Sequence, residues 1–277
     1  MTSLSQFLAE TASTFQAAGI ESFQADAENL IAFSLGISRG ELQAKAFLDE
    51  AFEPSTLLRE QIARRSSREP LQHLTGVAYF RNLSLEVGPG VFIPRPETES
   101  VVAISLEYLA SLEKPKVLDI GTGSGAIAIS IATEAQLEVD AIELSKDAAE
   151  FTQRNVAANA ASVNLMIGDF RDLKLEFGSY DLVVSNPPYI PLSAIPLDPE
   201  VRDFDPDLAL YGGEDGLDLI REIIEHAQLL LRPGGMLVLE HADGQSDMVC
   251  ELLLAHWQTV RAHPDSTGRL RAVSAVR

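Results

Sequence analysis

Residues 186–189, Asn-Pro-Pro-Tyr, place an amide, two rigid backbone positions and an aromatic ring directly after an apolar run. Two prolines remove two backbone donors and fix two φ angles, and the residue before a proline is held in extended geometry. The segment is therefore predicted to be a stiff loop at the end of a strand. An amide and a ring held in fixed positions suit a small planar group, so we expect a binding site here.

A second candidate binding loop lies in "VLDIGTGSGAIAI", a pattern that predicts a strand, a glycine loop and a helix. Gly121, Gly123 and Gly125 permit tight turning and close approach of the backbone to a ligand at the start of that helix. The next strand ends at Glu143, about 20 residues after the loop, where a carboxylate can accept hydrogen bonds from both ribose hydroxyls. These features predict a nucleoside site.

The third apolar run is followed by Asp169 and Phe170. Asp169 can accept a hydrogen bond from an adenine amino group, and Phe170 can pack on the adenine ring. The glycine spacing is G-x-G-x-G rather than the dinucleotide fingerprint G-x-G-x-x-G, but the fingerprint sometimes tolerates an alanine such as Ala126 in the last position. The loop alone therefore leaves a nicotinamide cofactor open.

The elements that hold these loops are short apolar runs that alternate with helical segments from about residue 93 onward. This alternation is typical of a mostly parallel sheet covered on both faces, whose ligands bind at the carboxyl ends of the strands. Only a short connection separates the last two runs, which predicts an antiparallel pair at the end of the sheet. The runs are "KVLDI", "EVDAIEL", "VNLMIG", "YDLVVS", "GMLVLEH", "WQTVRAH" and "LRAVSAV".

The first 70 residues show helical spacing, with Leu4, Phe7, Leu8 and Phe15 on one face of the first segment. Residues 77–87 instead alternate around "RN", which indicates a hairpin. We therefore predict a helical domain over residues 1–70, a hairpin connector over 71–92 and an α/β domain over 93–277.

The formal net charge is −20, which argues against nucleic acid as a direct partner. The acidic surface either complements a basic protein surface or simply keeps the protein soluble. No apolar run approaches the ~20 residues of a membrane span, and the N-terminus lacks a secretory pattern, so we expect a cytoplasmic protein with no membrane partner. The one cysteine, Cys250, lies in an apolar helical pattern and is expected to be a buried hydrophobe. The five histidines show no metal-ligand spacing, so no metal is predicted.

The loop "DIGTGSG", with an acid after the next strand and an antiparallel final strand, resembles the S-adenosylmethionine site of class I methyltransferases. The resemblance implies a seven-stranded, mostly parallel sheet with an antiparallel last strand, joined to a small N-terminal helical bundle. It also implies S-adenosylmethionine as the cofactor. The implied contacts are Gly121, Thr122, Gly123, Ser124, Gly125, Glu143, Asp169, Phe170 and Asn186.

"NPPY" resembles the motif of methyltransferases that act on planar nitrogen, either an adenine amine or a carboxamide. An amide nitrogen is a poor nucleophile because its lone pair is delocalised, as the ~18–20 kcal/mol rotation barrier shows. The Asn186 side-chain oxygen and the Pro187 carbonyl can accept the two N–H groups and raise electron density on nitrogen, while Tyr189 stacks on the amide. Asn186, Pro187 and Tyr189 are thus the catalytic candidates, and Pro188 belongs to the expected substrate pocket.

Over nearly its whole length the chain resembles the peptide chain release factor glutamine methyltransferases. The resemblance rests on "LTGVAYF", "VFIPRPETE", "SNPPYIP", "ALYGGEDGLD" and "RPGGMLVLEH". It implies an enzyme of translation termination that methylates the glutamine of the Gly-Gly-Gln motif in bacterial release factors, with the helical domain recognising the substrate.

The same resemblance places "VFIPRPETE" over the active site, with Phe92 in the wall of the glutamine pocket. Arg95 is expected either to order that loop or to form a surface ion pair with Glu97 or Glu99. His241, near the end of a strand, is expected to be structural.

Two other functions stay open at this point. An adenine N6 methyltransferase acting on nucleic acid would need a basic groove and a base-flipping pocket, against which the net charge argues. A non-catalytic adaptor that binds S-adenosylmethionine would bind the cofactor without turnover.

Overall fold

A computed structural model describes residues 2–277 and divides into two compact units. The helical unit contains the chain up to Val77 together with Pro196–Phe204. The sheet unit contains Ala78–Ile195 and Asp205–Arg277. The three-segment division by sequence, over residues 1–70, 71–92 and 93–277, stays a prediction.

The helices and strands follow one another along both units. The helices are α1 (Leu4–Ala17), α2 (Phe23–Leu35), α3 (Arg39–Phe47), α4 (Thr56–Ser66), α5 (Leu71–Thr75), α6 (Glu99–Leu109), α7 (Ala126–Ala135), α8 (Lys146–Ala158), α9 (Pro199–Phe204), α10 (Asp207–Leu210), α11 (Asp218–Leu230) and α12 (Ser246–Leu254). The strands are β1 (Thr2–Ser3), β2 (Ala51–Phe52), β3 (Val77–Phe80), β4 (Leu83–Glu86), β5 (Val117–Ile120), β6 (Val139–Glu143), β7 (Val163–Ile167), β8 (Tyr180–Ser185), β9 (Leu231–Glu240), β10 (Gln258–Pro264) and β11 (Leu270–Val276). A 3-10 helix, Pro96–Thr98, precedes α6.

The helices of the helical unit begin where serine side chains cap them. Ser3, Ser38 and Ser55 each accept a hydrogen bond from a backbone N–H in the first turn, and Glu41 completes a capping box with Ser38. The apolar faces of α1 and α2 then meet in one buried cluster that includes Phe15 and holds the bundle together. The predicted helices are present; the short antiparallel pair β1–β2 had no signal in the sequence.

A segment from late in the chain completes the helical unit. Buried Arg65 of α4 donates to Asp26 at 2.8 Å and to Glu200 of α9 at 2.7 Å, and Arg68 also donates to Glu200, at 2.8 Å. Burial opposes ionisation of Glu200, but hydrogen bonds from Arg68 and Arg65 lower its pKa to about 2. Residues 196–204 are thus fixed by ion pairs to buried Arg65 of α4 and to Arg68, just after α4.

The predicted hairpin is formed by β3 and β4, which pair with each other around Arg81 and Asn82. The seven-stranded sheet has the order β10-β11-β9-β8-β5-β6-β7. Strands β5 to β9 are parallel, whereas β11 runs antiparallel to both of its neighbours. This confirms the mostly parallel sheet with an antiparallel last strand.

Both faces of this sheet are covered. Helices α6 and α7 contribute to the apolar cluster on one face, and α11 and α12 contribute to the cluster on the other. The chain leaves β5 toward β6 and later returns to the other side of β5 as β8, so the order of strands reverses between β5 and β8. The carboxyl ends of β5 and β8 carry the two loops singled out in the sequence, and a ligand crevice is expected at such a reversal.

Candidate active site

The glycine loop after β5 combines ligand access with tight packing. Gly121 and Gly123 have φ values of 74° and 59°, and a Cβ built on either would meet no atom within 4 Å. Gly125 also has a positive φ, but its Cβ would lie 2.7 Å from Ile129 Cδ1. The first two glycines therefore leave open space above the backbone, and the third lets α7 begin close to the loop.

Glu143 joins the end of β6 to the glycine loop. One carboxylate oxygen accepts from the Gly123 N–H at 2.8 Å, and the other accepts from the Ser145 N–H at 2.8 Å. The side chain is buried, so its position is fixed. Each oxygen has a second lone pair, which leaves acceptor capacity for a hydroxyl group.

Asp119, on β5, was missed by the sequence reasoning. Its side chain is fully buried and accepts a hydrogen bond from the Thr122 hydroxyl at 2.7 Å. Burial raises its pKa to about 7, even though hydrogen bonds from Thr122 and the Ala128 backbone oppose that rise. An acid inside the otherwise apolar run "VLDI" was the available signal.

Asp169 and Phe170 lie after β7, as predicted, but their side chains have partners within the protein. Asp169 accepts from Arg171 Nε at 2.7 Å, and this hydrogen bond lowers the pKa of the carboxyl despite partial burial. Phe170 packs edge-on against His226 with the ring centroids 5.0 Å apart and belongs to the apolar core under the sheet. Their contact with adenine stays a prediction.

The Asn-Pro-Pro-Tyr loop leaves β8 next to the glycine loop, because β5 and β8 are neighbouring parallel strands. The Ser185 hydroxyl joins their ends by donating to the Ile120 carbonyl at 2.6 Å. Asn186 is half-buried, and its Nδ2 donates to the Thr98 hydroxyl at 3.2 Å. Its Oδ1 and the Pro187 carbonyl accept no hydrogen bond from residues 2–277. Two acceptors are therefore uncommitted at the position where the sequence predicts that a planar amide binds.

Tyr189 is positioned by one contact to the last residue of β9 and one to the segment that follows. Its hydroxyl lies 3.5 Å from Glu240 Oε1, and its carbonyl accepts from Gln245 Nε2 at 3.0 Å. Burial, together with the Glu240 carboxyl, raises the pKa of Tyr189, so the phenol stays neutral. The backbone of Tyr189 is thus held by Gln245, and its hydroxyl lies beside Glu240.

The segment "ALYGGEDGLD" supports the loop from behind. Ile190 and Tyr211 form a parallel bridge, and the Gly212 N–H donates to the Ile190 carbonyl at 2.9 Å. A Cβ on Gly212 would overlap the Pro188 carbonyl oxygen, and one on Gly216 would overlap that of Tyr189. Glycine is therefore required at both positions, because the two backbone segments approach each other closely. The sequence motif alone did not reveal this contact.

The "VFIPRPETE" segment contributes Phe92, Arg95 and Thr98 to the same unit. Arg95 Nη2 lies 2.6 Å from Asp205 Oδ2, and the guanidinium lies 5.1 Å from the Phe92 ring centroid. The predicted alternative of a surface ion pair with Glu97 or Glu99 is therefore wrong. Arg95 instead ties this loop to a carboxylate that is 110 residues away in the chain.

His241 follows β9 and is fully buried, with Nδ1 2.8 Å from the Ala242 carbonyl. Burial lowers its pKa. Neighbouring Glu240 is also fully buried, and burial raises its pKa to about 8 although the Thr98 hydroxyl acts in the other direction. Glu240 had no role in the sequence reasoning.

Comparison with curated proteins decides the family. The chain is 47% identical over 281 residues to "Release factor glutamine methyltransferase" of Streptomyces coelicolor, with 97% of each chain covered. This chain belongs to the release factor glutamine methyltransferase family. Members from Bifidobacterium longum and Deinococcus radiodurans are each 40% identical to it, over 99% of this chain and 99% and 98% of their own lengths.

Family models match both parts of the chain. "PrmC N-terminal domain" matches residues 6–76, and "Methyltransferase small domain" matches residues 82–195. The sequence-based recognition of the family and of an enzyme is thereby confirmed.

Solved structures agree on the fold. A methyltransferase from Pyrococcus furiosus has a TM-score of 0.53 at 20% identity, covering 79% of this chain and 96% of that one. A T. thermophilus 16S rRNA methyltransferase in complex with AdoMet and guanosine has a TM-score of 0.52 at 21% identity, covering 73% and 49%. Within residues 2–277, no helix is long and apolar enough to cross a bilayer.

Proposed function

We propose that this chain binds S-adenosylmethionine above the glycine loop and transfers its methyl group to the side-chain nitrogen of a glutamine in the Gly-Gly-Gln motif of peptide chain release factors. The observation that carries the proposal is the uncommitted pair of acceptors, Asn186 Oδ1 and the Pro187 carbonyl, in a chain that belongs to this family. The protein would act in the cytoplasm, where release factors are made.

The residues of the glycine loop fit the proposed cofactor. The open space over Gly121 and Gly123 gives the backbone of residues 121–125 room to hold the methionine part of the molecule. Glu143 keeps free lone pairs for ribose hydroxyls, and Asp169 with Phe170 would border the adenine. When bound, S-adenosylmethionine supplies an electrophilic methyl group on a sulfonium sulfur.

The Asn-Pro-Pro-Tyr loop would bind the substrate amide. Asn186 Oδ1 and the Pro187 carbonyl would each accept one of the two N–H hydrogens, which fixes the amide plane and raises electron density on its nitrogen. Both dipoles stabilise the positive charge that develops there as the nitrogen–carbon bond forms and the carbon–sulfur bond breaks. The neutral ring of Tyr189 would stack on the amide, and Phe92 and Pro188 would close the pocket.

The nitrogen must lose one proton after the methyl group arrives. An N-alkylated cationic amide is a strong acid, so water is a sufficient acceptor and no side-chain base is assigned. The contribution of this chain is therefore alignment and electrostatic stabilisation, both of which depend on a rigid loop.

The helical unit is proposed to recognise the release factor, whose basic surface would complement the net charge of −20. In this proposal nucleic acid, membranes and metal ions are not direct partners.

The test is transfer of labelled methyl from S-adenosylmethionine to three acceptors. These are an intact release factor, the same factor with the glutamine of Gly-Gly-Gln replaced by alanine, and duplex DNA. Label on the intact factor alone is the expected result. Label on DNA would assign the protein to the adenine methyltransferases, and cofactor binding by calorimetry without transfer to any acceptor would make it an adaptor.

A further inference from the structure

Two side chains of α8 bind successive carbonyl groups of the glycine loop. The Thr152 hydroxyl donates to the Gly123 carbonyl, with 2.6 Å between the oxygens, and Asn155 Nδ2 donates to the Ser124 carbonyl at 2.9 Å. Both side chains are fully buried. Residues three apart lie on the same face of a helix, so one face of α8 holds the backbone of this loop.

The orientation of the Asn155 amide is fixed by the backbone of Glu86 at the end of β4. Its Nδ2 also donates to the Glu86 carbonyl, at 3.0 Å, and its Oδ1 accepts from the Glu86 N–H at 2.6 Å. If the amide were turned over, its oxygen would face two carbonyls and its NH₂ group would face an N–H. The contacts of Asn155 therefore fix α8 against the glycine loop.

Gly123 has both of its backbone polar groups committed. Its N–H donates to Glu143 at 2.8 Å, and its carbonyl accepts from Thr152. The Thr152 hydroxyl has one hydrogen, and the other acceptor near it, the Ala148 carbonyl, is farther away at 3.2 Å. Because glycine permits many backbone conformations, the peptide group between Gly123 and Ser124 has few orientations excluded by sterics. The contact with Thr152 selects one of them.

This selection determines where the Ser124 N–H points. The C=O and N–H of a trans peptide point in opposite directions, so a Gly123 carbonyl directed at α8 directs the Ser124 N–H away from that helix. Ser124 is 3% exposed, and its N–H has no hydrogen-bond acceptor among residues 2–277. A buried N–H without an acceptor is costly, which indicates that a ligand supplies one.

We propose that Thr152 is a positioning residue that holds the peptide group of Gly123 and Ser124 with its N–H toward the carboxylate of the methionine part of S-adenosylmethionine. The inference rests on the proposed cofactor and assigns part of its affinity to a side chain outside the glycine loop. If this peptide group turned over, the Gly123 carbonyl would take the place of the N–H and repel the carboxylate. The start of α7 adds a dipole that favours a negative charge at the same loop.

The test is calorimetric binding of S-adenosylhomocysteine and 5′-methylthioadenosine to the full-length protein. The two ligands share the adenosine and a thioether sulfur, and only the first has an amino-acid part with a carboxylate. The ratio of the Kd for methylthioadenosine to the Kd for S-adenosylhomocysteine therefore isolates the contacts of that part. We expect a ratio well above one for wild type.

Thr152→Val replaces the hydroxyl with a methyl group of similar size and leaves the buried Gly123 carbonyl without its donor. The peptide group is then free to turn, and the ratio should fall about tenfold, with the Kd for methylthioadenosine close to wild type. A general distortion of the site would instead weaken the binding of both ligands by the same factor.

Three further variants separate the hydroxyl from the rest of the side chain. Thr152→Ser keeps the hydroxyl and should keep a ratio near that of wild type. Thr152→Ala differs from Thr152→Ser only by the hydroxyl oxygen and should show the low ratio. Thr133→Val removes a hydroxyl that bonds only within α7, to the Ile129 and Ser130 carbonyls, and should leave the ratio unchanged.

Wild-type ratios in both Thr152→Val and Thr152→Ala would overturn the inference, as would an equal loss of affinity for the two ligands. Should Thr152→Val fail to fold, as judged by circular dichroism, the comparison of Thr152→Ser with Thr152→Ala decides. A wild-type ratio of one would show that the loop does not contact the carboxylate and would overturn the inference alone. Wild type that binds neither ligand would refute the proposed cofactor itself, so the two failures are distinguishable.

Discussion

At the scale of single residues, the carboxamide of Asn186 has its nitrogen committed to Thr98 and its oxygen uncommitted. Asn186→Ala removes that oxygen and should lower kcat roughly 10²–10³-fold, the usual effect of losing one positioned polar group. Steady-state methyl transfer to an intact release factor measures the effect. A variant within threefold of wild type would contradict the role given to Asn186.

The buried carboxyls make stability depend on pH. Burial raises the pKa of Asp119 to about 7 and that of Glu240 to about 8, from ordinary values near 4. Both groups therefore bind protons on folding, and the free energy of unfolding should fall as pH rises from about 4 to 8, by at most about 1.4 kcal/mol per pH unit for each group. Denaturant titrations across this range measure the slope.

Glu240→Gln should make that slope shallower, because the amide does not titrate. Glu251→Gln, at an exposed position of α12, is the matched control and should keep the wild-type slope. Equal slopes for Glu240→Gln and wild type would show that Glu240 does not titrate in this range.

The positions of site residues were predictable from the sequence where the residues that constrain the backbone lie in the same loop. The conformations of Gly121 and Gly123 and the position of Asn186 followed from local sequence, because glycine spacing and a double proline constrain the backbone directly. The Asn186–Thr98 contact spans 88 residues and the Arg95–Asp205 pair spans 110, and nothing local marks either.

At the scale of elements, the glycines of "ALYGGEDGLD" let one loop lie directly against another. A Cβ on Gly212 would overlap the Pro188 carbonyl oxygen, so Gly212→Ala is expected to displace the Asn-Pro-Pro-Tyr loop. We expect kcat to fall at least tenfold, since small misplacements of reacting groups are costly, while affinity for S-adenosylmethionine changes little.

Gly40→Ala is the control for this change, because its Cβ would meet no atom within 4 Å and the residue lies in α3. It should leave kcat unchanged. Equal activity of Gly212→Ala and wild type would mean that the supporting segment yields without moving the catalytic loop.

The strands of the sheet were predictable because each is a short apolar run bounded by turn residues. Strand β9 differs, since it begins at Leu231 and includes the sequence Arg-Pro-Gly-Gly, which reads as a loop. The strand pair β1–β2 had too few residues to give a periodic signal in the sequence. The same holds for the short helices α9 and α10.

At the scale of the whole molecule, the charge of −20 predicts how docking responds to salt. If a basic surface of the release factor meets this acidic protein, Kd should rise about tenfold between low salt and 0.5 M salt, as screening weakens the attraction. Calorimetry with the alanine variant of the factor measures this without turnover. A Kd independent of salt would exclude charge complementarity as the basis of docking.

The return of residues 196–204 to the helical unit has a consequence for synthesis on the ribosome. Glu200 is 135 residues downstream of its partner Arg65, which is translated first. At typical elongation rates of about 5–20 residues per second, Glu200 is synthesised on the order of ten seconds after Arg65. The first unit to emerge thus gains its last segment only after four strands of the seven-stranded sheet have been made.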